Sequence, residues 1–196
     1  MKKSKNILLI GSNSGIGLQL KKDLYLGNNL FCTSSKKLKD TNYLNFNSKN
    51  SIIKTIYKAY KELKNFEIII FNSFLTKKRK RFSKSSLNEI ESNIKRNIFC
   101  YLLIMRLILK FQKKKTKIIF ISTEAIKNSS WGLLPYSLSK SAIECMLKTI
   151  SNENKHLKTI IIRLKKFNTP GYLRVNGNVK KTKDVKLASK IIRKEI

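Results

Sequence analysis

The chain has 196 residues, enough for one domain with a single hydrophobic core, and its 41% of apolar residues argues against a disordered chain. Its 43 basic and 11 acidic residues give a formal net charge of +32, so nucleic acid and anionic membrane surfaces must be considered as partners. The lysines are spread along the whole chain without an interleaved aromatic platform, which disfavours nucleic acid as the main partner and leaves an AT-rich codon bias as an alternative source of the charge.

Apolar segments alternate with amphipathic segments along the chain, and this alternation predicts repeated strand–helix units. The predicted strands are 6–10, 29–34, 42–46, 66–72, 116–122 and 158–164. The predicted helices are 15–26, 49–64, 86–112, 135–154 and 182–194. Right-handed crossovers then give an α/β fold with a doubly wound parallel sheet of order 3-2-1-4-5-6. Ligands of such sheets bind at the carboxyl ends of the strands, so the residues that follow each strand are the candidates for function.

The first strand ends in a glycine-rich turn, Gly11-Ser12-Asn13-Ser14-Gly15-Ile16-Gly17, which opens the first helix. Glycines let the backbone approach an anion closely, and the start of a helix offers unpaired N–H groups and the positive end of a dipole. The turn therefore predicts a phosphate site made by Gly11, Ser14, Gly15, Ile16 and Gly17. The alternative is a turn that needs its glycines for steric reasons alone.

The second strand ends in Ser34-Ser35-Lys36-Lys37, where no carboxylate is present. A nucleotide ribose with a free 2′-hydroxyl usually meets an Asp or Glu at this place, whereas a 2′-phosphate favours a cation. The missing acid favours NADP over NAD as a cofactor, with Ser35 and Lys36 as contacts of the 2′-phosphate.

The fifth strand ends in Ser122-Thr123, and the helix that follows carries Tyr136 and Lys140 one turn apart on a shared face. A free tyrosine has a pKa near 10 and exchanges protons poorly at neutral pH unless a neighbouring cation lowers that pKa. Tyr136 and Lys140 are therefore candidates for proton transfer, with the Thr123 hydroxyl beside them. The alternatives are a turn cap at Thr123 and a chance Tyr–Lys spacing in a lysine-rich chain.

Together these motifs resemble the short-chain dehydrogenase/reductase family from Ile7 to about Thr169. Gly11, Gly15 and Gly17 match the cofactor turn of that family, and Tyr136 and Lys140 match its Tyr-x-x-x-Lys pair. The resemblance implies a catalytic set of four residues: Tyr136, Lys140, Thr123 and Asn97. It adds further contacts of the cofactor at Asn45, Asn72, Thr169, Tyr136 and Lys140.

The resemblance also implies an activity. Residues 1–196 would form one NAD(P)-binding Rossmann domain, with the last strand of the family missing, that transfers a hydride between C4 of the nicotinamide and a carbonyl or alcohol. Tyr136 would act as general acid or base, and Lys140 would lower its pKa and hold the nicotinamide ribose. Thr123 would fix the substrate oxygen, and Asn97 would hold a water that links Lys140 to solvent. The partners implied are a small-molecule substrate, anionic as one option, and a second copy of the chain, because relatives pair through their two long helices.

Three departures from the family pattern keep other functions open. Thr123 replaces a serine, Phe74 replaces a glycine near the cofactor, and Leu164-Lys165 replaces Pro-Gly. A divergent, non-catalytic nucleotide-binding or scaffolding protein is one alternative. A basic protein that binds nucleic acid or a membrane surface on this fold is the other.

The cysteines and the start of the chain bear on metal binding and location. Cys32, Cys100 and Cys145 lie far apart without metal-ligand spacing, which predicts no metal site and three small buried apolar residues in a reducing compartment. The basic start is followed by only four apolar residues, too few for a signal peptide, and the apolar stretch 101–111 is too short to span a bilayer. These features predict a cytoplasmic protein without a membrane span.

Overall fold

In the computed structural model, which describes residues 3–128, 130–177 and 182–196, six parallel strands form one sheet with helices on both faces. The strands are β1 (Asn6–Ile10), β2 (Asn29–Ser34), β3 (Asn42–Tyr43), β4 (Ile68–Phe71), β5 (Thr116–Thr123) and β6 (Leu157–Leu164). The helices are α1 (Gly15–Tyr25), α2 (Lys49–Leu63), α3 (Leu87–Phe111), α4 (Leu134–Glu153), α5 (Pro170–Asn176) and α6 (Val185–Arg193). Two short 3₁₀ helices follow β4 and β5, at Phe82–Lys84 and Glu124–Ile126.

The strand order is β3-β2-β1-β4-β5-β6, which confirms the predicted order of a doubly wound sheet. Residues 7–10 of β1 pair with β2 on one side and with β4 on the other, in parallel register throughout. The outermost pairing, between β5 and β6, runs over eight residues of each strand. The carboxyl ends of β1, β4 and β5 therefore lie side by side at one edge of the sheet.

The hydrophobic core consists of two layers, one on each face of the sheet. Leu8 and Ile10 of β1 pack into the layer that is covered by α2, α3 and α4, whereas Ile7 and Leu9 pack into the layer covered by α1 and α6. All four side chains are fully buried. This two-sided burial explains why the strands are continuous apolar runs rather than alternating patterns.

The structure departs from the sequence-based elements mainly at β3 and at α5. The third strand ends at Tyr43 rather than at residue 46, because the Asn45 side chain accepts a hydrogen bond from the Asn47 N–H (3.0 Å) and turns the chain there. Helix α5 was not predicted. It begins with Thr169 as N-cap, whose Oγ1 accepts from the Tyr172 N–H (3.0 Å), and with Pro170 in the first turn.

The cysteines are free, but they are not all buried as expected. Cys32 and Cys100 lie in the core, whereas Cys145 is exposed on α4, where the chain had been expected to bury it. Among the described residues, every helix is too short or too polar to cross a bilayer. The cytoplasmic location stays a prediction.

Candidate active site

A crevice of about 950 Å³ runs along the carboxyl edge of the sheet, beside the predicted site residues. It extends from the glycine-rich turn after β1 to the start of α4 and to the segment before α5. The predicted site residues that line it are Gly11, Ser14, Gly15, Ile16, Ser35, Lys36, Asn72, Thr123, Tyr136, Lys140 and Thr169. Residues from six separate segments of the chain therefore meet in one space, as the strand order requires.

The glycine-rich turn is tightly packed against its neighbours. A Cβ atom on Gly17 would lie 1.9 Å from the Gly11 carbonyl oxygen, and one on Gly11 would lie 2.6 Å from the Cβ of Ser73. Gly11 also has a φ of +92°, a conformation that side chains disfavour. The Asn72 side chain donates to the Gly11 carbonyl oxygen (2.7 Å) and so joins the turn to the end of β4. The glycines are thus required by the packing itself.

The same turn leaves hydrogen-bond donors for a ligand. Ser14 is the N-cap of α1, but its side chain makes no capping hydrogen bond, so the first N–H groups of the helix have no side-chain acceptor. These groups and the helix dipole favour an anion at this point of the crevice. The residues present here fit the pyrophosphate of a dinucleotide.

The end of β2 contributes a cation to this part of the crevice. Ser35 and Lys36 are exposed there, and the Lys36 N–H donates to the Ser34 hydroxyl (2.9 Å), which fixes the backbone of the turn. The Lys37 side chain instead lies over the Tyr43 ring, 5.9 Å from its centroid, and it does not line the crevice.

Three predicted residues do not line the crevice. Gly17 is buried between β1 and α1, and the Asn45 side-chain oxygen is engaged by the Asn47 N–H. Asn97 of α3 is buried and holds the backbone of Leu75, accepting from its N–H (2.9 Å) and donating to its carbonyl oxygen (3.2 Å). The roles of Asn45 at an adenine and of Asn97 at a water stay predictions.

The other end of the crevice holds the predicted catalytic side chains. Thr123 ends β5, and its hydroxyl accepts a hydrogen bond from the Ala125 N–H (3.1 Å). It therefore caps the following 3₁₀ helix, which is the turn cap that the sequence offered as the alternative to a catalytic role. Thr123 lines the crevice together with Tyr136. Capping and a place beside the phenol are therefore compatible.

Lys140 is almost fully buried below Tyr136, with 3% of its surface exposed. Its ammonium donates to the Ile121 carbonyl oxygen (2.5 Å) and lies 4.1 Å from the centroid of the Phe74 ring and 4.5 Å from that of Phe120. Burial lowers the pKa of Lys140 to about 7, and the nearby carboxylate of Glu144 acts in the opposite direction.

The phenol of Tyr136 differs from the sequence-based expectation. Burial raises the pKa of Tyr136 to about 12, and the Thr123 hydroxyl offsets only part of that rise. Lys140 had been expected to lower this pKa. The Phe74 and Tyr136 rings pack almost perpendicular to each other, with centroids 5.3 Å apart and an interplanar angle of 88°. The Lys140 ammonium lies over the Phe74 ring. In this structure the desolvation of both groups outweighs their attraction.

Two polar features at this end were not found from the sequence. The Ser122 hydroxyl is buried beside the crevice without a hydrogen-bond partner in the described part of the chain. Glu144, one turn beyond Lys140 on α4, forms a two-point ion pair with Arg163 of β6, including an Nε–Oε1 distance of 3.1 Å. The sequence carries no local signal for this ion pair, because its partners lie on a helix and on a separate strand.

Comparison with known proteins gives a family model and similar structures. A model described as short chain dehydrogenase matches residues 5–186. A 3-ketoacyl-(acyl-carrier-protein) reductase from Brucella melitensis, complexed with NADH, superposes with a TM-score of 0.86 at 12% identity and covers 96% of this chain and 89% of its own. An alcohol dehydrogenase from the archaeon Thermococcus sibiricus, complexed with 5-hydroxy-NADP, gives 0.85 at 14% identity, with 96% and 88% covered.

A third similar structure is the ligand-free aldohexose dehydrogenase from Thermoplasma acidophilum, with a TM-score of 0.84 at 14% identity and coverage of 97% and 86%. At these identities the superpositions show the fold. A comparison with curated protein sequences gives no match.

Proposed function

Because the chain belongs to the short chain dehydrogenase family, we propose that residues 1–196 act as one NAD(P)-dependent oxidoreductase unit that interconverts a carbonyl and an alcohol. The observation that supports this function is the shared crevice. It brings the anion-binding turn after β1 to the same space as Tyr136, Lys140 and Thr123. The nucleotide would supply and accept the hydride, so the protein has to provide position and proton transfer.

Tyr136 is the proposed proton donor in the reducing direction. Its raised pKa keeps the phenol protonated at neutral pH, which is the form that can donate to a carbonyl oxygen. The Thr123 hydroxyl, which lines the same crevice, would hold the same substrate oxygen. In the oxidising direction Tyr136 would take up a proton, and this step requires its pKa to fall.

Lys140 is the proposed source of that fall in pKa. Its ammonium lies 6.0 Å from the centroid of the Tyr136 ring, and a positive charge this close favours the phenolate once the site is assembled. Asn97 supports this part of the site from behind by holding the backbone of Leu75 next to Phe74. The proposed nucleotide contacts are the N–H groups at the start of α1, Asn72, Thr169, and Lys140 itself at the nicotinamide ribose.

NADP is the proposed cofactor of choice, with NAD as the second. Lys36 lines the crevice at the end of β2, where it would contact a 2′-phosphate. Lys36→Glu should weaken NADPH binding at least about tenfold, the equivalent of one charge-assisted hydrogen bond, and leave NADH binding nearly unchanged. Lys37→Glu is the matched control, because Lys37 lies over Tyr43 outside the crevice. Fluorescence titrations at moderate salt measure both affinities, and equal losses in the two variants would contradict the assignment.

The decisive test of the activity is Tyr136→Phe. NADPH oxidation with a panel of aldehydes and ketones should fall by about 10² to 10⁴-fold, which is the usual contribution of a general acid, while NADPH still binds. Tyr25→Phe, which changes a tyrosine that is 69% exposed at the end of α1, should leave turnover as it is.

Other outcomes of the same assays separate the alternatives. Unchanged turnover in Tyr136→Phe would refute the role of Tyr136. NADPH binding without turnover of any carbonyl would support the non-catalytic nucleotide-binding protein instead. No NADPH binding, together with nucleic-acid binding that weakens steeply with salt, would support the basic binder.

We also propose that the protein forms a homodimer through α3 and α4. Both helices expose large apolar side chains, including Phe99 (62% exposed) and Leu102 (41%) on α3 and Leu138 (46%) on α4. Such side chains on long helices are typical of covered surfaces. Light scattering should give twice the mass of the chain, and Phe99→Lys should shift it toward the monomer. A monomer at micromolar concentration would contradict the proposal.

A further inference from the structure

A second, smaller pocket opens beside Tyr136, on the side away from the glycine-rich turn. It encloses about 310 Å³, which is at the lower end of the range for pockets that hold small ligands. Tyr136 lines both this pocket and the crevice, so a molecule in the pocket would lie next to the proposed proton donor. The pocket is therefore placed to receive the part of a substrate that extends beyond its reacting carbonyl.

One wall of this pocket is the basic loop, which we define as Lys77-Lys78-Arg79-Lys80-Arg81. Lys77, Lys78, Arg79 and Lys80 all line the pocket, and Glu89 is the one carboxylate among its lining residues. Lys80 pairs with that carboxylate at 2.6 Å. The ion pairs among the described residues include none with Lys77, Lys78 or Arg79.

The basic loop is held in place although it is neither helix nor strand. The Arg79 guanidinium donates to the Trp131 carbonyl oxygen (2.6 Å) and to the Asn176 side chain (2.8 Å), and it lies 5.5 Å from the centroid of the Trp131 ring. The Lys80 N–H donates to the Gly132 carbonyl oxygen (3.1 Å). Gly132 adopts a φ of +70°, and a Cβ there would lie 3.1 Å from Arg79 and Lys80. Two other segments of the chain therefore hold Arg79 and the backbone of Lys80 at the pocket.

Fixing several cations together costs free energy through their mutual repulsion, and a bound anion removes that cost. The repulsion is larger inside a recessed pocket than on a flat surface, because low-dielectric walls focus the field. Lys77 and Lys78 have flexible, exposed side chains that can reach an anion without breaking an existing contact. Arg79 is already used to hold the loop, so it contributes charge rather than a free donor.

We propose that this pocket binds an anionic group, a carboxylate or a phosphate, on the carbonyl substrate, and that Lys77 and Lys78 are its ligands. The inference rests on the proposed function, since it names the substrate class for the same reaction centre. It differs from a general affinity for polyanions, because these cations line a recess of about 310 Å³ next to Tyr136, and two of them, Lys77 and Arg79, line the adjoining crevice as well.

Binding measurements can test this pocket without turnover. A ketone or aldehyde cannot be reduced when the protein is saturated with NADP⁺, so calorimetric titration of that complex gives affinity alone. Three matched pairs of ketones without an alcohol group serve as probes: pyruvate and methyl pyruvate, acetoacetate and methyl acetoacetate, and 2-oxopropylphosphonate and its dimethyl ester. At least one anion should bind about tenfold more tightly than its neutral partner, the equivalent of one charge-assisted hydrogen bond.

The double variant Lys77→Glu, Lys78→Glu should abolish or reverse this preference for the anion. The matched control is Lys114→Glu, Lys115→Glu, which makes the same change in net charge at two exposed lysines just before β5, at the opposite edge of the sheet. That variant should keep the preference. The titration is then repeated without nucleotide. If the protein alone forms the pocket, the anionic probe should again bind more tightly than its neutral partner.

Two results would overturn the inference. One is that no pair shows a preference for the anion, including the case in which none of the probes binds. The other is that both double variants lose the preference equally, which would make it a property of the net charge of +32. NADPH oxidation by the wild-type protein is measured separately. Intact turnover without the preference rejects the anion pocket alone, whereas the absence of both NADPH binding and turnover rejects the proposed function.

Discussion

The two ends of the crevice are built from different parts of the chain. At the nucleotide end, the turn after β1 presents backbone N–H groups, and glycines leave no room for side chains. At the reaction end, side chains of β5, α4 and the segment after β4 surround Tyr136 and Lys140, and aromatic rings exclude water from them. The first end depends on steric fit, and the second depends on desolvation.

This difference determines how each end responds to change. An added methyl group at the nucleotide end must displace backbone, which yields little, so the response should be nearly all-or-none. A changed side chain at the reaction end alters the environment of an ionisable group, so the response should be graded and should depend on pH. Three substitutions test this contrast.

The largest effect is expected for Gly17→Ala. The new Cβ would lie 1.9 Å from the Gly11 carbonyl oxygen and 2.5 Å from the Asn72 side-chain nitrogen, so β1 and α1 must separate. We expect a loss of at least about 3 kcal/mol of unfolding free energy and no detectable NADPH binding. Urea unfolding and fluorescence titration measure the two effects.

Gly171→Ala is the control for this substitution. Gly171 lies in α5 and has an ordinary φ. A Cβ added there would have its nearest neighbouring atom 3.7 Å away, so alanine should fit. If both variants lose the same stability, the steric account of the glycine-rich turn is wrong.

Lys140→Met tests desolvation at the reaction end. The pKa of Lys140 is about 7 in the folded protein and 10.5 in the unfolded chain, so between these values the unfolded state binds more protons and stability rises with pH. Below pH 7 the full cost of the buried ammonium is present. We expect the wild-type unfolding free energy to gain about 1.4 kcal/mol per pH unit from this group between pH 7 and 10, and the variant to lack that gain.

The difference between two variants isolates this contribution from the general effect of the net charge. Lys148→Met removes an exposed lysine from the same helix and should keep the pH dependence of the wild type. Urea unfolding at several pH values gives the slope of the unfolding free energy against pH for each variant. Equal slopes for the two variants would show that burial does not perturb the pKa of Lys140.

The smallest effect is expected for Phe74→Leu. A desolvated cation–π contact is worth about 0.5 to 2 kcal/mol, and it favours the charged form of Lys140, whose ammonium lies 4.1 Å from the Phe74 centroid. Leucine keeps the apolar volume without the π face. The pKa of Lys140 should therefore fall by up to about one unit, and the limb of the pH–rate profile that reports it should move to lower pH.

Phe74→Tyr retains the aromatic face and should leave that limb in place. An unchanged profile in Phe74→Leu would mean that the ring acts only as apolar packing.

The contrast between the two ends also explains what the sequence could predict. The strand order and most element bounds could be predicted from apolar periodicity and the right-handed crossover rule. The turn from Gly11 to Gly17 could be recognised because a tight turn requires glycine, and glycine is visible in the sequence itself. Helix α5 was not predicted, although a threonine N-cap followed by proline is a helix start.

The reaction end was predicted in its residues but not in its electrostatics. Tyr136 and Lys140 both line the crevice, and their catalytic roles stay predictions. Burial raises the pKa of Tyr136 in this structure, and a lowering of that pKa by Lys140 together with a bound oxidised nicotinamide stays a prediction. Burial of this kind arises from residues distant in sequence and has no local pattern.

The hydrogen bond from Asn72 to Gly11 has a consequence for folding. It joins residues 61 positions apart, and every strand pairing in the sheet is parallel, so no tight hairpin can form early. Chains dominated by such distant contacts fold slowly, because large loops must close first. The cradle at the start of α1 is complete only after β4 has docked beside β1. Nucleotide added during refolding should therefore bind only in the final phase and act as a reporter of its completion.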